Sequence, residues 1–507
     1  MTVLSIIVFL PAIVAALLLF VPRKRVRLFP WIWVATSAVD LALIIVAWTG
    51  YIVGTGTGFG YEENVRWLPM LGSGYHIAVD GFSLPIVALT GVLFLACAVY
   101  SLREQRRTRS WVILFLFLQT VSLGLFVSLD LLVFFVFFDL SIVAMYFIIA
   151  GWGHPGAARA ALQFFLYTFV GSLALLLGFI GLYLASTPHT FDMVQLVHQD
   201  PLKGDPVVAG IILFAISLGL AVKTPTVPFH TWLPPAHTEA PTAGSVILAG
   251  ILLKMGTYGF VRIAMPILPQ AWRDYALVFV IVGVVSVLYG ALVALAQTNL
   301  KRMIAYTSVN HMGYIILGLG AAGLATGSNV QASALAVSGA VTQMVSHGLL
   351  TGALFLLAGV LYARGGTYDI GAYGGLAKTV PVFTGLMAVA VFGSLGLPGF
   401  SGFIAEFQIF TGSLGSAPVP TALSVIGIVI TAALLLRMFQ RIFLGAGQRS
   451  HDEAPPAPQA SMKDVFSREF FAVAPLLALS VVIGILPAFL LHVIDPAARA
   501  LVALVGG

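Results

Sequence analysis

The stretch Ala221–Gly256, AVKTPTVPFHTWLPPAHTEAPTAGSVILAGILLKMG, carries two lysines inside sequence that otherwise reads as membrane-buried helix. Lys223 is followed at once by Thr224 and Pro225, and Lys254 lies midway along an apolar run from Thr242 to about Arg262. A His-rich segment broken by prolines stands between them. A lysine at mid-bilayer costs roughly 2.5 to 3.5 kcal/mol on insertion scales, so each needs a partner, a water-filled cavity or a function. Two such charges so close together point to a relay. A Pro-interrupted span also frees backbone groups that only neighbouring protein or an internal cavity can satisfy.

Composition extends that reading to the whole chain. Of 507 residues, 60% are hydrophobic and 9% charged, and the mean hydropathy is +1.03. Soluble proteins carry about a quarter of charged residues. The chain therefore reads as an all-α polytopic membrane protein, a single membrane domain over 1–507 with no soluble domain. Its net charge of +6 is no sign of nucleic-acid binding, because the basic residues fall in short clusters between apolar runs. The single cysteine, Cys97, leaves no disulfide framework and no Cys-based metal or iron–sulfur site. The first apolar run, Leu4 to Val21, is followed by RKRVR and reads as a retained helix, not a signal peptide.

With about 20 apolar residues per span, the sequence gives about fourteen helices: 2–21, 29–52, 80–101, 110–129, 131–150, 161–185, 206–230, 242–265, 275–297, 303–323, 333–363, 381–414, 420–444 and 469–492. The polar stretch at 445–468 reads as a mobile loop. Eighteen of the 25 Lys and Arg residues fall in loops after odd-numbered helices and five on the other side, leaving Lys223 and Lys254 within the membrane. The positive-inside rule then makes the odd loops cytoplasmic and puts both termini outside.

Helix seven breaks at Lys223–Pro228 and helix twelve at Leu397–Gly402. Matching Pro225 with Pro398 carries Asp139 of helix five to within one residue of His311 in helix ten. Two five-helix halves, helices four to eight (110–265) and nine to thirteen (275–444), fit this register. They are flanked by helices one to three (1–101) and by a loop with helix fourteen (445–507). An odd number of helices inverts the second copy, and paired broken helices point to a midplane ion site. Two independent kinks are the alternative.

Asp139 sits deep in FFVFFDLSIVAMYF, so its carboxylate lies near mid-membrane. Facing a lysine about 4 Å away at an effective dielectric of about 20, it contributes roughly 4 kcal/mol. A helix movement that separates the two removes that stabilisation and frees a proton; a static pair that only joins helices is the plainer reading. Glu406, in GFIAEFQIF, follows the second break, and His311 and His347 lie near the centres of their helices. Histidine titrates near neutrality and suits proton transfer, although a single His on an apolar helix often only packs. Together with Lys254 these groups form a file. Metal binding is disfavoured by their dispersal. His230, His237 and Glu239, in HTWLPPAHTEAP, read as a cytoplasmic loop and a candidate for proton uptake, or as interface anchors. Asp80 and Asp130 read as helix boundaries.

Four segments, FFVFFDLSIVAMYFIIAGWG, Ala221–Gly259, LKRMIAYTSVNHMGY and LPGFSGFIAEFQIF, resemble the antiporter-like proton-translocating subunits of respiratory complex I. That resemblance spans helices three to fourteen. It implies a fourteen-helix fold with inverted repeats and a relay running through Asp139, Lys223, Lys254, His311, His347 and Glu406. One departure is that the family usually has Glu where Asp139 stands, a methylene longer, which puts a direct Lys223 contact in doubt. Glu406 separates the chain from the other antiporter-like subunits and from Mrp-type cation/proton antiporters, which resemble one another in carrying Lys there. The chain also lacks the lateral helix that marks subunit L. The resemblance implies no cofactor in this chain, with FMN, iron–sulfur clusters and quinone in partner subunits. It implies as partners the other membrane subunits, especially the antiporter-like subunits L and N and the lateral helix of L, together with membrane lipids. The implied location is the bacterial cytoplasmic membrane, and an Mrp-type antiporter subunit is the rival reading.

Overall fold

A computed structural model describes residues 3–22, 24–54, 58–325, 330–444 and 462–506. The chain forms α1 (Val3–Leu18), α2 (Leu28–Gly54), a hairpin of β1 (Gly60–Leu68) and β2 (Ser73–Val79), then α3 (Ser83–Tyr100), α4 (Thr108–Val127), α5 (Leu131–Trp152) and α6 (Ala157–Ala185). A short α7 (Met193–Gln199) precedes α8 (Pro206–Lys223) and α9 (Leu233–Glu239). The next span is assembled from α10 (Thr242–Ile247), α11 (Leu253–Gly259) and α12 (Met265–Ile267), joined by π turns at Leu248–Leu252 and Phe260–Ala264. After α13 (Pro269–Asp274) come α14 (Ala276–Leu295), α15 (Leu300–Leu324), α16 (Val330–Gly365), α17 (Pro381–Ser394), α18 (Ser401–Leu414), α19 (Pro418–Phe439), α20 (Ser467–Ile485) and α21 (Ala488–Gly506).

Both predicted breaks are present. The seventh span stops at Lys223 and resumes as α9, and the twelfth is divided into α17 and α18. HTWLPPAHTEAP is therefore not the surface loop expected from its prolines. Trp232 and His237 are fully buried, and Trp232 Nε1 donates to Val222 O across the break at 3.0 Å. Pro234 and Pro235 are accommodated because the opening residues of a helix have no intrahelical acceptor to lose.

Three further expectations change. The span expected at 469–492 ends at Ile485, and a separate helix, α21, follows across the face opposite the basic loops. Of the stretch read as a loop at 445–468, residues 445–461 lie outside the described residues, while 462–468 is anchored. There the Asp464 carboxylate accepts from Val382 N and Phe383 N at 2.9 Å, capping α17, and Arg364 bonds Asp464 O and the Glu469 carboxylate. The third change is the hairpin, which an all-helical reading does not contain.

Charged caps pin that hairpin to the bundle. Asp130, expected as a boundary, caps α5 through Leu132 N and Val133 N and also accepts from Ser73 Oγ and Gly74 N. Asp80 caps α3 in the same way and pairs with Arg262 at 2.5 Å. His76 sits between Asp192 at 2.6 Å and Glu62 at 2.9 Å. Small residues close the core of the second half. A Cβ on Gly313 would lie 2.7 Å from Val287 N, so α14 and α15 pack backbone to backbone.

Burial works against a charge on His76, yet the hydrogen bonds and charges of Asp192 and Glu62 outweigh it and raise the imidazole above its usual 6.5. A raised folded-state value contributes stability below 6.5 that is lost as pH rises through the folded value. Backbone amides of Ser73–Val79 are thus expected to exchange hydrogen faster at about pH 9 than at about pH 6, after correction for intrinsic rates. Equal protection at both pH values would rule out the clasp.

Candidate functional site

Lys223 ends α8 and is buried. Its Nζ donates to Ser141 Oγ at 2.9 Å and lies 4.7 Å from the centre of the Phe138 ring. Asp139, on the same helix, does not complete an ion pair: none of 4.0 Å or less joins it to Lys223 among the described residues. The carboxylate instead lies within electrostatic reach of Ser172 on α6, whose own hydroxyl donates to Phe169 O at 2.9 Å, and its Oδ1 is buried without a partner. The two groups are close enough to interact electrostatically. The pair stays open, and the Ser141 hydroxyl oxygen accepts the lysine's N–H instead.

Lys254 is fully enclosed, on the turn that follows the first π segment. A π turn leaves carbonyls out of the regular ladder, and such turns cluster at functional sites. Lys254 Nζ donates to Ala249 O in that turn at 2.7 Å and stands 2.5 Å from His347 Nδ1. Thr224, the first residue after Lys223, packs its hydroxyl against Gly256 and has no hydrogen-bond partner, which places an unsatisfied hydroxyl between the two lysines.

From Lys254 the polar groups continue in line. The His347 and His311 rings meet edge to face, with centroids 5.4 Å apart, and His347 Nε2 and His311 Nδ1 are buried without partners. Both rings line a cavity of about 10 Å³ shared with Gln343, Ser346 and Glu406, close to the room one water needs. The Glu406 carboxylate lies against Gly396 in the second break, where φ is +71° and a side chain would collide with it.

On the side of the basic loops, His237 on α9 is fully buried, stacked on Phe355 at 4.6 Å, with neither ring nitrogen bonded. It lies within electrostatic range of Lys254 and of Lys301. Glu239 accepts from Gly156 N at 2.9 Å and interacts with Lys301. His230 stands apart, buried against the Tyr289 and Tyr306 rings.

Lys301 was counted among the loop cations by its sequence position, but it is fully buried. Its Nζ donates to Ala240 O at 2.6 Å and faces the Tyr368 ring at 4.9 Å. The signal was Asn299, which caps α15 through Arg302 N and so draws Lys301 into the first turn of an apolar helix. A cation at a helix N-terminus opposes the dipole unless a carbonyl or carboxylate answers it. Asp40 is a second group given no role; it is buried between α2 and α4, bonded to Gln119 at 2.6 Å. Among the described residues, no three His, Cys, Asp or Glu side chains converge as a metal site. The arrangement is a line of buried titratable side chains running from Lys223 and Lys254 to Glu406.

Residues 128–431 match the family model described as NADH:quinone oxidoreductase/Mrp antiporter, TM. The chain belongs to this family. It is 38% identical over 500 residues to NADH-quinone oxidoreductase subunit M of Rickettsia conorii, covering 97% of each. It is 36% identical to F(420)H(2) dehydrogenase subunit M of Methanosarcina mazei, covering 100% of this chain and 99% of the relative. Among solved structures it resembles a chain of respiratory complex I from Thermus thermophilus, with TM-score 0.87, 29% identity and coverage of 99% of this chain and 100% of the other. A chain of the Mrp complex from Dietzia shares the fold, with TM-score 0.84, 23% identity and 100% coverage of both. The chain is thus an antiporter-like, multi-pass membrane subunit with broken helices and inverted repeats.

Gly396→Ala is expected to cost about 1–2 kcal/mol from its left-handed backbone and to displace Glu406, read as a lower melting temperature in detergent. Gly385, a helical glycine with open space around it, is the control: Gly385→Ala is expected to leave that temperature unchanged or raised. Equal melting of the two variants would refute the contact.

Proposed function

We propose that this chain is a proton-translocating membrane-arm subunit of NADH:quinone oxidoreductase, and that it carries no redox site of its own. FMN, iron–sulfur clusters and quinone belong to partner subunits, and the other antiporter-like subunits, L and N, with the lateral helix of L, are its neighbours. The chain lies in the bacterial cytoplasmic membrane with both termini outside, as the bias of Lys and Arg toward one set of loops argues. The observation that carries the reading is the enclosed Lys254 held 2.5 Å from His347, with His311 and Glu406 following round one small cavity.

Protons enter from the basic side past Glu239, Lys301 and His237, load Lys254, pass His347 and His311, and reach Glu406. Lys223 and Asp139 set the energy of Lys254 from the flank. When Lys223 leaves Ser141 for Asp139, its charge is compensated, and when it returns, Lys254 faces a less shielded cation. The chain itself moves protons only; the driving free energy arrives through neighbouring subunits.

Lys223→Ala is expected to abolish NADH-driven proton pumping in vesicles carrying the assembled complex, and full pumping in that variant sinks the assignment. An Mrp-type antiporter subunit is the alternative, since the same fold serves both. NADH:quinone activity co-purifying with this chain supports the first reading; sodium-dependent proton exchange without it supports the second. Pumping retained after Lys254 and Glu406 are both neutralised would reduce the chain to a scaffold.

A further inference from the structure

The polar line does not stop at Glu406. α18 runs from the second break toward the face opposite the basic loops, and α16 starts from that face. Two amides occupy the shared half of these helices, Gln343 one turn before His347 and Gln408 just after Glu406. Both are buried, and each has its side-chain carbonyl oxygen without a partner. A buried unbonded acceptor is uncommon and marks a place that water or a mobile proton donor fills. Gln343 lines the cavity shared by His347 and Glu406. Gln408 lies against α16 one turn further out, where a Cβ on Gly339 would approach its Cβ to 2.8 Å.

Immediately before Gly339, the hydroxyl of Ser338, itself buried, donates to Asp495 Oδ1 at 2.7 Å. Asp495 belongs to α21, the helix lying across this face. Ser338, Thr411 and Asp495 line a cavity of about 510 Å³ together with Gln331 and Arg499, and those last two are exposed, so the cavity reaches the surface. A surface-open chamber with a carboxylate in its lining thus begins at Thr411, about one and a half turns beyond Glu406 on α18.

Resting on the reading of the chain as a proton translocator, we infer that Asp495, approached through Ser338, is the exit carboxylate of the channel. A proton released by Glu406 crosses waters oriented by Gln343 and Gln408. Ser338 Oγ takes it while passing its own hydrogen to the Asp495 carboxylate. The neutral acid then gives that proton to water in the chamber as hydronium, and the carboxylate re-forms. Bonds to hydrogen alone are exchanged, and no electrons move. The carboxylate gives departing protons a base at the mouth of the chamber.

Asp495 also ties α21 to α16, so the test separates anchoring from transfer. Asp495→Asn keeps an oxygen that accepts from Ser338 and removes the titrating carboxylate. In proteoliposomes of the assembled complex, pumping is expected to fall by about tenfold or more in Asp495→Asn and to return in Asp495→Glu. Unchanged pumping in Asp495→Asn, with pumping lost in Lys254→Met, overturns the exit assignment alone. Unchanged pumping in Lys254→Met overturns the translocation reading beneath it. As an independent measurement, Ser338→Cys treated from the chamber side with a membrane-impermeant cationic thiosulfonate is expected to lose pumping relative to the treated complex without that thiol. The chain's own Cys97 is buried and does not compete. Full pumping after complete labelling would overturn the assignment.

Discussion

An amine enclosed in hydrocarbon is tolerable only where lone pairs meet its hydrogens, and Lys254 obtains them from Ala249 O at 2.7 Å and His347 Nδ1 at 2.5 Å. The first acceptor exists because the helix carries a π turn just before the lysine. Without the extra residue in that turn, the Ala249 carbonyl would be committed to the helical ladder. The second exists because α16, long and almost wholly buried, runs through the centre of the bundle and presents His347 at mid-length. The fold around Lys254 provides acceptors and excludes lipid, and the packing of small residues between helices brings backbones close enough to do both.

The two broken helices use the same interruption differently. In the first half the helix ends at Lys223, and its ammonium reaches across to Ser141 Oγ and the Phe138 ring of α5. In the second half the break supplies Gly396, whose missing side chain and left-handed backbone make room for the Glu406 carboxylate. One interruption places a lysine and the other a glutamate, with Lys254 and the two histidines between them. Lys223 resting on Ser141, with an unpartnered oxygen on Asp139, leaves the flank of this arrangement with two arrangements close in geometry.

The buried titratable residues were legible as a group because an ionisable side chain in an apolar run has few explanations, and the breaks were legible because proline cannot continue a helix. Asp80 and Asp130 were readable as boundaries for the same local reason, their carboxylates accepting from the first turns of α3 and α5. Lys301 was not, because a lysine beside an arginine at the start of a span looks like a loop cation whether or not the bundle closes over it. The π turns were hidden as well; they change hydrogen-bond register without changing composition. The hairpin escaped because its alternation is short and its stability comes from carboxylates distant in sequence. α21 escaped because it continues the apolar pattern of α20 across a bend at Leu486 and Pro487. The open Asp139–Lys223 pair depends on the competing hydroxyl of Ser141, which nothing in the local sequence singles out.

The clasp of His76 between Asp192 and Glu62 lies on the face to which protons are delivered in the proposed direction of transport. Working turnover acidifies that face, and acid is the condition under which a positively charged imidazole holds its two carboxylates hardest. Under the proposed direction of transport the hairpin is gripped while that face stays acidic, and the grip weakens only as its pH rises through the folded-state value of His76. The side of the membrane that the proposed transport makes sour is fastened by a buckle that sourness tightens.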